Sequence, residues 1–175
     1  AKTRMLVADW QAGKLANGIV QNRAGSNLHA KASGEIKAAA GALEFTGQGW
    51  LEVADDPQLS LANGFTLDAW IRPDRFPPGG MRIIDKCHVG TSDGYTFDTY
   101  PGNALRLITP VGAVSYEAKL EPEKWVHVAA VHEPVLGIRL RARGRWRADP
   151  ALDQDRPCRV TERQCPLEKF AAKHG

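Results

Sequence analysis

A chain of 175 residues that is 43% hydrophobic and 25% charged, with a formal net charge of +3, has the composition of an ordinary globular domain. That length fits one domain, or one domain with a tail, and a core that buries roughly 70% of the unfolded surface needs no staple to fold. No apolar run approaches the ~18 residues of a membrane-spanning helix, no cationic-then-apolar leader is recognisable, and three cysteines are too few, and odd in number, for a disulfide framework.

Read in chain order, alternation with period two dominates. Residues 5–10 are a first candidate strand. Residues 35–40 are helix-prone by composition but too short to stand alone as a helix. Residues 42–46 and 50–54 flank Gly47-Gln48-Gly49, which predicts a hairpin turn. Asp56-Pro57 predicts one helical turn, with Asp56 as cap and Pro57 at the first helical position. The stretch 64–72 is the clearest strand. Phe65, Leu67, Ala69 and Ile71 share one face, and Thr66, Asp68, Trp70 and Arg72 share the other. Pro73 then ends it, because proline cannot donate to a ladder.

Short runs follow at 81–87, 95–100, 104–109 and 114–118, separated by turns bearing Gly or Pro. Residues 125–132 are longer and mostly apolar, as in a central strand. His127 and His132 fall on opposite faces there, which is wrong for sharing a metal. Ile138, Leu140 and Ala142 alternate with Arg139, Arg141 and Arg143, which fits a half-buried strand. Residues 166–174 read as a terminal helix stopped by Gly175. Many short strands at close spacing predict an all-β, two-sheet antiparallel sandwich of jelly-roll type.

Chemical motifs are scarce. Gly47-Gln48-Gly49-Trp50-Leu51-Glu52 starts like a dinucleotide fingerprint, but Glu52 stands where the third glycine belongs and a strand follows. No P-loop, HExxH or CxxC is present. The acidic clusters Glu52/Asp55/Asp56 and Glu117/Glu121/Glu123 sit at strand ends. Neither gives the paired carboxylates on one sheet face that a glycosidase needs, so the chain is read as no enzyme.

Several segments, in order, resemble a known family. Gly41-Ala42-Leu43-Glu44-Phe45-Thr46-Gly47, Trp50-Leu51-Glu52-Val53, Asp56-Pro57-Gln58-Leu59-Ser60-Leu61 and Phe65 to Pro73 are similar to the bacterial branch of the laminin-G-like, concanavalin A-like lectin/glucanase superfamily. Arg82-Ile83-Ile84-Asp85-Lys86, Gly94-Tyr95-Thr96-Phe97 and Trp125-Val126-His127-Val128-Ala129 continue the likeness. The resemblance implies a jelly roll appended to a secreted or cell-surface protein. Such a domain binds a glycan or packs on a neighbouring domain, often with calcium. It implies an extracellular, periplasmic or cell-surface location. Asp9, Asp55 and Asp85 are the candidate calcium ligands, since a hard cation wants carboxylate and carbonyl oxygens.

Strand parity selects a candidate glycan face. Asp68, Trp70, Asp98, Tyr100 and Arg106 are predicted to point outward, where an aromatic platform and flanking charges suit a sugar. The alternative packs Trp70 under a loop or against the other sheet and leaves the charges as plain surface. Trp125 and His127 read as structural, and Trp10 and Trp50 as core or rim. Two further readings of the whole chain stay open. One is a fragment of a glycoside hydrolase or polysaccharide lyase of the same fold. The other is a structural sandwich that packs on a catalytic domain.

Charge divides the chain unevenly. Residues 1–134 carry net −2 and residues 135–175 net +5. Residues 1–148 are read as the jelly roll and 149–175 as a basic tail, irregular or short-helical, in which the family's closing strands are not recognisable. A replaced C-terminus, a fragment end and a shifted reading frame all fit that tail. Cys158 and Cys165 are near enough in sequence to pair, and Cys87 reads as a buried thiol. The arginines of 139–147 lack a nucleic-acid fold around them, so nucleic acid is not the expected partner.

Overall fold

The computed structural model describes residues 5–39, 41–61, 64–88, 90–133, 137–143 and 157–162. They form twelve strands and one 3-10 turn: β1 (Met5–Ala16), β2 (Ile19–Asn22), β3 (Ala30–Ala39), β4 (Ala42–Val53), the turn Pro57–Leu59, β5 (Phe65–Ile71), β6 (Met81–Lys86), β7 (Tyr95–Thr99), β8 (Leu105–Thr109), β9 (Gly112–Tyr116), β10 (Val126–Glu133), β11 (Gly137–Arg143) and β12 (Pro157–Glu162). Eight make one sheet in the order β11-β10-β5-β12-β1-β2-β3-β4, and four make a second in the order β6-β7-β8-β9. Every pairing is antiparallel. The protein is therefore the all-β sandwich that the alternation predicts.

The inner faces interleave. Phe65, Leu67 and Ala69 of β5 and Val126, Val128 and Ala130 of β10 meet Tyr95 and Phe97 of β7 and Leu105 and Leu107 of β8. The rings of Phe65 and Tyr95 lie 5.1 Å apart between centroids. Each fully buried Val, Leu or Phe among them contributes about 1.5–3 kcal/mol by leaving water. Ile138, Leu140 and Ala142 pack on the same core, which confirms the half-buried character of β11. The turn at Pro57–Leu59 is capped as its sequence implies, with the Gln58 N–H donating to the Asp56 carboxylate at 2.8 Å.

Three local expectations change. The Gly47-Gln48-Gly49 hairpin does not form. Residues 42–53 make one continuous strand whose partner is β3, including the helix-prone 35–39. The β3–β4 ladder instead ends on the pair Ala39 and Ala42, and the register shifts between Gly34 and Ile36. A Cβ on Gly34 would come within 1.9 Å of the Gln48 carbonyl oxygen, and one on Gly49 within 2.4 Å of the Glu35 carbonyl oxygen. The glycines therefore serve close backbone approach within a ladder and not a turn.

The second change concerns the stretch beyond residue 148, where alternation is too short to announce a strand. Pro157–Glu162 nevertheless enters the larger sheet between β1 and β5. It pairs Asp9 with Arg159 on one side and Arg159 with Asp68 on the other. A strand hydrogen-bonded on both edges is held by its backbone, so side-chain periodicity is a poor guide to it. The expected terminal helix at 166–174, the return strand after Arg143 and the Cys158–Cys165 pairing lie outside the described side chains. Third, Trp50 is 56% exposed and so does not belong to the core. Trp10 does pack on the core, and its indole N–H donates to the Leu28 carbonyl at 2.7 Å.

Candidate functional site

The five residues expected on one face are divided between two. Asp68 and Trp70 lie on the outer face of the larger sheet, opposite in direction to core residues Leu67 and Ala69. His127 of β10 stands beside them, with Nε2 3.2 Å from the Asp68 carboxylate and its ring 5.3 Å from that of Trp70. Trp70 is thus half-buried, with its ring tilted 43° to that of His127. His127 is partnered and partly buried, as expected.

Asp98, Tyr100 and Arg106 lie together on the outer face of the smaller sheet. Pairing of β6, β7, β8 and β9 sets Arg82, Asp98, Arg106 and Ser115 in one transverse row. Directly opposed residues of antiparallel strands share a face. The Arg106 guanidinium donates to both Asp98 oxygens, from Nε to Oδ1 at 3.1 Å and from Nη2 to Oδ2 at 2.6 Å. The Asp98 side chain is only 3% exposed and that of Arg106 22%. The guanidinium carbon sits 4.0 Å from the centroid of the Tyr100 ring. One side of the Arg fork is therefore fixed by a bidentate carboxylate and one face by an aromatic ring, a rigid arrangement. Next in the row, Arg82 donates to Asp85 at 2.6 Å and to the Thr96 hydroxyl at 3.2 Å, and Thr96 donates to Asp85 at 2.6 Å.

An open groove of about 470 Å³ adjoins this row, lined by Pro101, Asn103, Ala104, Ser115, Glu117 and Lys119. Its size is that of small-ligand sites. Asn103 is anchored by donating to the Leu120 carbonyl at 2.9 Å. Sequence reading finds Asp98, Tyr100 and Arg106, none of which lines the groove, but not the groove beside them. The signal for Ser115 is the two-residue loop Pro110-Val111, which fixes Thr109 opposite Gly112 and so Ser115 opposite Arg106. Glu117 enters the reading only as part of a solvated acidic turn. The structure puts it in the groove wall.

The three calcium candidates do not converge. Asp55 is ion-paired with Lys86, whose ammonium holds its carboxyl below the usual range. Asp85 is occupied by Arg82 and Thr96. Asp9 is buried in β1 of the other sheet. No three His, Cys, Asp or Glu side chains among the described residues group as a metal cage, so these residues do not fit calcium.

Residues 90–94, Gly90-Thr91-Ser92-Asp93-Gly94, carry the letters of a G-x-S-x-G nucleophile elbow. They form the loop between antiparallel β6 and β7, not the strand-to-helix turn that the elbow requires. Within it the Thr91 hydroxyl and the His88 ring bond to Asp93 and hold its carboxyl well below the carboxylate range. His88 is 87% exposed, so the group is a loop clasp in open water.

Two stacked antiparallel sheets with a polar groove outside the smaller one define a lectin-type sandwich. A family profile described as the concanavalin A-like lectin/glucanases superfamily matches residues 45–141. The chain belongs to that superfamily. No curated protein matches it in sequence. Among solved structures, a chain from work on ganglioside-dependent cell entry of botulinum neurotoxin type C aligns over 95% of this chain with 13% identity and a TM-score of 0.59. The binding domain of botulinum neurotoxin DC, in complex with rat synaptotagmin II, aligns over 89% with 13% identity and a TM-score of 0.55. The same domain in complex with SialylT aligns over 90% with 14% identity and a TM-score of 0.58. This chain spans 44%, 43% and 40% of those chains respectively, and the likeness is one of fold.

Proposed function

We propose that the protein is a non-catalytic carbohydrate-binding module of a larger secreted or cell-surface protein. The observation that carries this reading is the Tyr100–Arg106–Asp98 cluster on the outer face of the smaller sheet, where Arg106 stands opposite the groove residue Ser115. Tyr100 offers part of an apolar ring surface, and the free edge of the Arg106 fork offers hydrogen-bond donors. Ser115, Glu117 and Lys119 add donors and acceptors for sugar hydroxyls. Support also comes from the superfamily and from structural neighbours that are binding domains. Asp68 and Trp70, on the opposite face, have no part in this site.

Affinity electrophoresis through gels containing polysaccharide tests the proposal. The protein is expected to be retarded by at least one polymer, and Tyr100→Ala is expected to abolish the retardation while leaving the melting temperature within a few degrees. Equal retardation of the variant would remove the site.

A second reading is favoured by a separate observation. Met5, Leu6, Ile19, Phe45 and Trp50 are all exposed, and all lie on β1, β2 and β4. The edge strand β4, with its exposed Phe45 and Trp50, is a candidate docking region for a neighbouring domain of the parent protein. Replacing Trp50 by Ser is expected to leave polysaccharide binding unchanged and to lower any tendency to self-associate.

A further inference from the structure

We infer that the groove selects neutral sugars and rejects carboxylated or sulfated ones, an inference that rests on the carbohydrate-binding reading of the same site. Its basis is the charge arithmetic of the smaller sheet's outer face. The cations of the row are already engaged. Arg106 is paired in bidentate fashion with Asp98, and Arg82 is paired with Asp85. The groove adds one acid and one base, Glu117 and Lys119. Six charged groups therefore sum to zero, and the one cation not bonded to a carboxylate shares its wall with Glu117.

Of these six groups, the positive centre left to an anionic sugar is Lys119, and it shares its wall with Glu117. To reach Arg106 in the fork geometry that suits a carboxylate, it must displace Asp98. Asp98 is almost fully buried, and displacing its partner leaves an unpaired carboxylate out of water, the most expensive outcome for a buried ion pair. Reaching Lys119 alone brings the anion against Glu117. A hydroxyl meets neither penalty. The Arg106 N–H groups not spent on Asp98 can donate to it, Glu117 can accept from it, and Ser115 can do either. The exposed part of the Tyr100 ring remains available to the apolar face of a pyranose.

The test is affinity electrophoresis of the whole chain against two panels. The neutral panel is soluble starch, galactomannan, arabinoxylan and mixed-linkage β-glucan. The acidic panel is polygalacturonate, hyaluronan and heparin. The expected result is retardation by a neutral polymer that is lost in Tyr100→Ala and barely changes between about 0.05 and 0.5 M NaCl, a range over which screening removes exposed charge attraction. Retention on an acidic polymer that survives Tyr100→Ala belongs to the basic C-terminal stretch and leaves the inference standing. Retention on an acidic polymer that is lost in Tyr100→Ala and collapses with salt overturns it. Retardation by no polymer of either panel overturns the carbohydrate reading itself. Glu117→Gln, an exposed change that does not threaten folding, supplies an independent check. It is expected to raise groove affinity for polygalacturonate about fivefold or more by removing like-charge repulsion, and an unchanged affinity counts against the inference.

Discussion

Arg106 is held by two kinds of contact, and they separate in a substitution series. Arg106→Lys keeps the charge but loses the fork on Asp98 and the flat stack on Tyr100. Arg106→Ala also strands the Asp98 carboxylate, which is 3% exposed, and is expected to cost about 3–5 kcal/mol of stability. Chemical denaturation of both variants checks the order: wild type, then Lys, then Ala. Equal stability of Lys and Ala would mean that charge contributes nothing to the pairing. His132 makes a different residue-scale prediction. It lies at the end of the core against Phe65, with ring centroids 5.2 Å apart, and Nδ1 has no hydrogen-bond partner among the described residues. Burial lowers its pKa from the ordinary 6.5. The unfolded chain therefore takes up the proton first as the solution is acidified. Stability is full above about pH 6.5 and falls as pH drops toward the folded-state pKa. Urea midpoints at pH 7.5 and 5 are expected to differ more for the wild type than for His132→Gln, and identical slopes would refute the assignment. Parity placed Asp98, Tyr100 and Arg106 outward correctly, because a strand fixes which face a residue takes. It could not say that Trp70 points away from them on a different sheet. Sheet membership is a long-range fact, and alternation within one strand does not carry it.

At the scale of elements, the β3–β4 hairpin shows where local reading fails. Glycine between two apolar runs is the ordinary signature of a turn, yet Gly34 and Gly49 sit opposite each other in a ladder. Gly34 has φ +71° and no room for a side chain beside the Gln48 carbonyl. Gly34→Ala is expected to lower stability by at least ~2 kcal/mol through both the left-handed backbone and the clash. Gly47 has φ +89° but open space, so Gly47→Ala is expected to cost only ~1 kcal/mol. Thermal melts of the pair separate steric from conformational cost, and similar melting temperatures would argue against the close approach. The strands with strong alternation, β5, β8 and β10, were legible nearly to their ends. β9 was misplaced by about two residues, because its side chains are exposed throughout and so carry no inside–outside pattern. The groove depends on β9, and it stayed hidden for that reason.

At the scale of the molecule, the two-sheet architecture was legible because short alternating runs with Gly and Pro turns admit few other folds. The route of the chain through the larger sheet was not. β12 is the last described strand in sequence yet lies between β1 and β5, and the alternation of Cys158 and Val160 with Arg159 and Thr161 is too short to announce a strand. Ending the chain at residue 156 is expected to divide the larger sheet into β11-β10-β5 and β1-β2-β3-β4. Circular dichroism and light scattering should then show lost cooperativity and aggregation from two bare edges. A truncated chain that melts as sharply as the full one would contradict the central position of β12.

That placement has a consequence for the order in which the protein is made. During synthesis β1 and β5 emerge early, each with one edge satisfied by a neighbour and the other waiting. The gap between them closes only when residues 157–162 have left the ribosome. Until that moment the nascent chain carries an open slot at the middle of its larger sheet, shaped to accept a strand from any source. The protein thus depends on a partner that is its own segment 157–162, and the interval before that segment arrives is when a foreign strand competes best.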